Sequence, residues 1–247
     1  VRLKKAMRCS HVLMLDIAQV RAITLDLDDT LWPIWPTSER AELELGAWLA
    51  PRAPVTAKLL ASADERLALR QALLRSRPEI AHDMSAMRLA LIREALRQSV
   101  EDEMLAEPAF EVFFAARMRV NLFDDALPAL EMLSRHFPVV ALSNGNADVH
   151  RVGIGAHFAA SVSAHQVGLA KPDPRIFHAA ATAAGVLPEQ VLHVGDDAVL
   201  DVIGARDAGM QTVWVNRGAS VWGHAVQPHA TVTGLDELCR LLQLQMG

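Results

Sequence analysis

Cysteine is scarce in this chain, long apolar runs are missing, and positive charge is not in excess. Each shortage closes off a class of explanation. Cys9 and Cys239 are the only cysteines; they lie near opposite ends and have no metal-type spacing. Two free thiols in a reducing compartment fit better than a disulfide, and the expected location is cytoplasmic. No apolar run approaches the roughly 20 residues that cross a bilayer, so no membrane partner is expected. The formal net charge of -5 removes the basic face that a nucleic-acid grip needs. A small anionic ligand stays possible, because a metal and a lysine can reverse the local sign. What is present is a globular balance, 51% hydrophobic and 21% charged over 247 residues. That length supports one sizeable core, or a core with an inserted lid. The sequence carries no mark of oligomeric state.

The opening stretch, VRLKKAMRCSHVLMLDIAQV, places basic residues ahead of a short apolar run from Val12 to Leu15. Asp16 interrupts that run and no small-residue cleavage site follows, so a secretory signal is a poor fit. Residues 1–20 read as a loosely attached leader, with Met7 or Met14 as candidate natural starts.

The rest divides by pattern. Ala22 to Leu27 is a β-rich apolar run that ends in acids. The prolines of Trp32-Pro33-Ile34-Trp35-Pro36 argue against a helix through them, and Ser38 is a plausible N-cap for a helix to about Leu49. From there to Arg119, apolar residues recur at helical spacing, as in Phe110, Phe113, Phe114 and Met118. After Asn121, strand-like runs (138–142, 161–164, 191–194, 212–215) alternate with helical ones. Such alternation predicts an α/β fold, a parallel sheet covered on both faces. The helical stretch interrupts it just after the first strand. The expected organisation is a core of residues 21–37 and 119–247, with a helical lid of residues 38–118 over the strand ends where ligands bind.

Four segments carry the chemistry. Asp26-Leu27-Asp28-Asp29-Thr30 sets two carboxylates close together at a strand exit. Their repulsion calls for a cation, and hard oxygen ligands suit Mg²⁺. Asp26 could then attack phosphorus, with Asp28 as acid and later base. A polar strand end is the alternative. Ser143-Asn144-Gly145-Asn146 offers a hydroxyl and turn N–H groups for phosphate oxygens, or is an ordinary loop. Lys171, before Pro172, could neutralise phosphate and nucleophile, or be merely solvated. Gly195-Asp196-Asp197 supplies a metal carboxylate in Asp196. Asp197 or Asp201 would stand behind it, orienting waters or Lys171, or would simply favour a helix N-terminus. His193 reads as a core histidine. Together the four segments name phosphoryl transfer to water.

In this order, DLDDT, SN, KP and GDD with a later Asp resemble the haloacid dehalogenase superfamily of hydrolases. The resemblance implies a Rossmann-like core with an inserted helical C1 cap. It makes Asp26 the nucleophile that becomes an aspartyl phosphate and Asp28 the acid/base, whose backbone carbonyl also meets Mg²⁺. It puts Ser143, Asn144 and Thr30 at the phosphate loop, Lys171 on the phosphate, and Asp196 on the metal. PEIAHDMSAMR, GLAKPDPRIF and LHVGDDAVLDVIGARDAGMQTVWV are further similar to the bacterial phosphatases acting on 5-amino-6-(5-phosphoribitylamino)uracil in riboflavin synthesis, a family that also accepts flavin mononucleotide and sugar phosphates; a promiscuous sugar or nucleotide phosphatase of the same superfamily is the alternative. That likeness implies a small phosphorylated metabolite as partner. The lid's His82, Asp83 and Arg88 are candidates to contact it, or a solvated helix face, and Trp32 and Trp35 lie at the junction. A haloacid dehalogenase would lack a carboxylate at the Asp28 position. A phosphonate-cleaving relative would need a lid lysine, and Lys58 has no supporting motif.

Overall fold

The computed structural model describes residues 15–246, with side chains to residue 243. The leader residues 1–14, with Met7, Cys9 and Met14, lie outside the described residues. Six parallel strands form one sheet in the order β3-β2-β1-β4-β5-β6. They are β1 (Ala22–Leu25), β2 (Val139–Ser143), β3 (Ala160–Ser163), β4 (Val191–Gly195), β5 (Gln211–Val215) and β6 (Ala230–Val232).

Between β1 and β2 run the five helices α1 (Ile34–Leu49), α2 (Pro54–Ala61), α3 (Ala63–Ser76), α4 (Met84–Gln98) and α5 (Ala106–Arg117). They close on a core of their own, with Leu45, Leu49, Ile92, Leu96 and Phe113 buried in it. The remaining helices flank the sheet: α6 (Ala126–His136), α7 (Val149–Val152), α8 (Ala164–Val167), α9 (Pro174–Ala184), α10 (Gly204–Asp207) and α11 (Leu235–Met246).

Strand alternation assigns each residue to a face. Ile23, Leu25, Val139, Ala141, Leu192 and Val194 meet Leu130 and Leu133 of α6 and Leu238 and Leu242 of α11. Val140 and Leu142 meet Ile176 and Phe177 of α9. Thr24 and His193 belong to that second face, where the His193 ring stands edge-on to Phe177 at 5.1 Å. Asp26, two residues beyond Thr24, continues it past the strand end.

Four local expectations change. Leu15, Ile17 and Val20 are buried in the main core, and Asp16 exchanges two hydrogen bonds with Gln211 (2.7 and 2.8 Å), so residues 15–20 belong to the packed fold. Helix α1 starts at Ile34, ahead of Ser38, with Pro36 in its first turn. A proline is tolerated there because first-turn N–H groups have no intrahelical acceptor. Asp29 accepts the Ile34 N–H at 2.9 Å in place of a Ser38 cap. Third, the helical run after the 191–194 strand opens as a π-helical turn, Ala198–Ile203, and only then becomes α10. The fourth change is β6, a short edge strand with too little alternation to be read from three residues.

Candidate active site

Strands β2, β1 and β4 are neighbours, and their carboxyl ends deliver Ser143, Asp26 and Asp196 side by side. The chain runs from β1 toward β3 on one side and from β4 toward β6 on the other. The site therefore sits where the strand order reverses, the usual crevice for a ligand in such sheets.

A buried polar chain forms its floor. Lys171 Nζ lies 2.6 Å from Asp26 Oδ1 and 2.6 Å from Asp201 Oδ1. His193 Nε2 lies 3.2 Å from Asp201 Oδ1, and its Nδ1 is 2.8 Å from Thr24 Oγ1. Burial drives the His193 value down, so the ring is neutral. A neutral ring donating from Nε2 accepts from Thr24. Burial alone would depress the Lys171 ammonium, but Asp201 and Asp26 outweigh it and hold the value above the ordinary one. For Asp201, burial raises and Lys171 lowers, and the lysine wins: the value falls well below the ordinary carboxylate range. Asp26 moves the other way. Burial, with Asp201 and Asp196 beside it, raises it well above the ordinary range despite Lys171.

The π-helical turn explains how Asp201 reaches this floor. The Val202 N–H bonds back to the Asp197 carbonyl at 3.2 Å, one residue wider than an α-turn. The turn lays Asp201 against Gly195, where a Cβ would stand 2.3 Å from the Asp201 carboxyl carbon, so only glycine fits. Asp197 takes a different part. Its Oδ1 caps the turn by accepting from Val199 and Leu200 N–H at 2.8 and 2.7 Å, so Asp201 is the acid that orients Lys171.

Carboxylate oxygens of Asp26, Asp196 and Asp201 all lie within 4.8 Å of one another. Burial, then Asp201, pushes Asp196 up to about 7. Three clustered acids with one lysine among them leave a negative surplus that a divalent cation would relieve. The all-carboxylate donor set suits Mg²⁺, with Asp26 and Asp196 as holders, since Asp201 is committed to Lys171, His193 and the Asp197 N–H (2.9 Å). Thr30 is wholly buried and donates to Asp196 Oδ1 at 3.1 Å, which makes it a brace for that carboxylate and not a ligand contact.

Asp28 is not one of the three clustered acids. Its Oδ1 accepts from Trp32 Nε1 at 2.8 Å, and Arg117 Nη2 reaches its Oδ2 at 2.7 Å. A Cβ on Gly145 would stand 2.8 Å from Asp28 Oδ2 and 3.2 Å from Ser143 Oγ, so Asp28, Ser143 and the Gly145 turn converge. Ser143 Oγ accepts the Gly145 N–H at 2.9 Å, which frees its own proton for a ligand. Asn144 departs from expectation. Its side chain clasps the Lys171 backbone, accepting from N at 2.7 Å and donating to O at 3.0 Å, so it sets the lysine loop and does not point at a substrate.

The lid candidates are engaged elsewhere. Asp83 caps α4 through Ser85 and Ala86 N–H (3.0 and 2.9 Å) and meets His165 Nδ1 at 2.7 Å, a tie between lid and core. Arg88 pairs with Glu42 at 2.7 Å and lies 4.1 Å over the Phe113 ring, inside the helical block. His82 is half-buried ahead of α4 and makes no hydrogen bond to the Asp26 cluster. Trp35 is 79% exposed, whereas Trp32 is fully buried.

A cavity of about 460 Å³ opens at the lid–core seam beside Gly145 and Asn146, with Met84, Ser85 and Phe114 as its lid wall. A larger one, about 790 Å³, lies between α1 and α2 and touches none of the clustered acids. Sequence reasoning missed Arg117. The available signal was its place four residues after Phe113, on the buried stripe of α5, where a charge needs a reason.

Residues 20–209 match the family described as haloacid dehalogenase-like hydrolase. The 5-amino-6-(5-phospho-D-ribitylamino)uracil phosphatase of Escherichia coli (strain K12) is 31% identical over 234 residues, covering 92% of this chain and 98% of that protein. The N-acylneuraminate-9-phosphatase of Mus musculus is 27% identical over 92% of this chain and 95% of its own. Among solved structures, a 2-haloacid dehalogenase from Pseudomonas syringae pv. Tomato DC3000 superposes with a TM-score of 0.86 at 34% identity, covering 92% of this chain and 100% of that one.

Proposed function

The chain belongs to the haloacid dehalogenase-like hydrolases, and from that membership we propose a Mg²⁺-dependent phosphatase that passes the phosphoryl group through Asp26. The observation that carries this reading is the second carboxylate, Asp28, which converges with Ser143 on the Gly145 turn.

Each side chain has work suited to its surroundings. The ester's phosphate meets the Ser143 hydroxyl and the Lys171 ammonium. Lys171, fixed by Asp201 and by the Asn144 clasp, stays charged and steadies the Asp26 carboxylate against its two acidic neighbours. Asp26 attacks phosphorus; Asp28 gives a proton to the departing oxygen, then takes one from the water that frees Asp26. Asp26 and Asp196 would hold Mg²⁺, whose contribution would be neutralisation of phosphate charge.

The substrate we favour is a small phosphorylated metabolite, with 5-amino-6-(5-phosphoribitylamino)uracil or flavin mononucleotide first. The Escherichia coli phosphatase, similar along nearly the whole chain, supports that choice. The syringae structure favours a second reading, halide displacement by Asp26. A halide leaves without a proton and without a cation, so that chemistry would leave the acid role of Asp28 and the metal role of Asp196 unused. Phosphate release from a panel of esters, with and without EDTA, and halide release from a 2-halo acid decide between them. We expect EDTA-sensitive phosphate release and no halide. Halide without phosphate would end the phosphatase reading.

A further inference from the structure

Arg117 is the most buried charge that the proposed chemistry leaves unused. It closes α5, is 4% exposed, and its Nη2 reaches both Asp28 oxygens, at 2.5 and 2.7 Å. Its Nη1 is buried without any hydrogen-bond partner. The guanidinium also overlooks the phosphate turn, since a Cβ on Gly145 would stand 3.9 Å from Nη2. Packing gives no reason for it. The other buried residues of α5 are Ala106, Ala109, Phe113 and Ala116, and an apolar side chain would continue that stripe without stranding a donor. A guanidinium stays charged at any working pH, so an unmet buried N–H is costly unless an oxygen arrives to take it.

We propose that Arg117 is the lid's contribution to the catalytic machinery: it positions Asp28 for proton transfer to the leaving oxygen, and its free Nη1 donates to an oxygen of the bound ester. The inference rests on the reading of Asp28 as acid and base. Trp32 and Arg117 together fix the carboxylate. Trp32 donates to Oδ1, and Arg117 grips both oxygens from above, so Asp28 can neither rotate away nor swing toward the acids around Asp196. In the first half-reaction Asp26 bonds to phosphorus as the P–O bond to the leaving group breaks, and that oxygen takes the proton from Asp28, which ends the step as the carboxylate paired with Arg117. Arg117 gives up no proton. It fixes the direction of that transfer, and the ester satisfies the amino group that the fold leaves bare.

The dependence on leaving group tests this. p-Nitrophenyl phosphate releases an acidic phenol that departs without a proton, whereas an alkyl phosphate such as glycerol phosphate needs one. Arg117→Gln is expected to lower kcat on the alkyl ester by roughly 10²-fold, the worth of a positioned acid, and on the nitrophenyl ester by about tenfold or less. Arg117→Lys keeps the charge but cannot hold two oxygens and reach a third, so it should show the same selectivity and serves if the Gln variant does not fold. Equal losses on the two esters, or none, overturn the proposal. Asp28→Asn is measured alongside. Selectivity there with none in the Arg117 variants removes only the arginine's role. No selectivity in Asp28→Asn removes the acid itself.

Discussion

Asp26 and Asp201 touch the same lysine nitrogen at the same distance, 2.6 Å, yet removing their charges should move stability in opposite directions. Asp201 is 1% exposed, accepts from Lys171, from His193 and from the Asp197 N–H, and is held below the ordinary carboxylate range. Its ionised form therefore stabilises the fold. Asp26 is raised above that range by burial and by two neighbouring acids, so its ionised form is under repulsion. Breaking a buried pair by removing the well-paired partner costs about 3–5 kcal/mol. In a chain of this size each kcal/mol shifts the melting temperature by about 2–4 °C, so Asp201→Asn should melt roughly 6–20 °C lower. Asp26→Asn removes a repelled charge and leaves Lys171 paired with Asp201, so it should melt at or above the parent temperature while losing turnover. Circular-dichroism melts of the parent and both variants, in EDTA so that no cation masks the repulsion, make the comparison. A parent-like melt for Asp201→Asn, or equal drops in the two variants, would refute the assignment of strain to Asp26 and of anchorage to Asp201.

Three further outcomes follow from local geometry. Gly145→Ala would place a Cβ 2.8 Å from Asp28 Oδ2, and displacing that carboxylate should cost roughly 10²-fold in kcat with a nearly unchanged melt; a parent rate would count against convergence at this turn. Asn144→Ala removes two hydrogen bonds to the Lys171 backbone, a loss of about 1–3 kcal/mol by chemical denaturation together with a slower turnover. His229 is pushed down to about 4 by burial and by Arg206, and its Nδ1 accepts the Thr212 N–H at 3.0 Å. The folded value lies below the ordinary 6.5, so its contribution is full above that pH and is lost as pH falls toward 4. His229→Gln should flatten the decline in melting temperature over that window, and an unchanged slope would exclude His229 as its source.

Much of the fold was legible because its four central strands are buried on both faces. Runs such as Val191–Val194 stand out against helical spacing, and each ends in a residue whose chemistry has meaning. Asp26, Ser143 and Asp196 stand out for that reason, since an acid or hydroxyl at the end of an apolar strand has few structural uses; Lys171 lies in the loop between α8 and α9, eight residues past β3, and draws notice only from its place before Pro172. The relation between Asp197 and Asp201 was not readable. Periodicity cannot distinguish an α-turn from the wider turn that draws Asp201 inward and leaves Asp197 as a cap. Thr30 and Asn144 lay in the right loops, but their bonds run to partners 166 and 27 residues away, which no local pattern encodes. The lid residues Asp83 and Arg88 are polar groups in a segment similar to another phosphatase family's, and in this fold that polarity serves a helix cap and an internal ion pair.

The helical block leaves the sheet just after Trp32 and returns to it just after Arg117, and these two residues are the side-chain donors to Asp28. Both ends of the insertion are thus moored to one carboxylate. A chimera that grafts another relative's helices onto this sheet would keep the Trp32 bond and replace the Arg117 one, so an exchange of the insertion also changes how Asp28 is held.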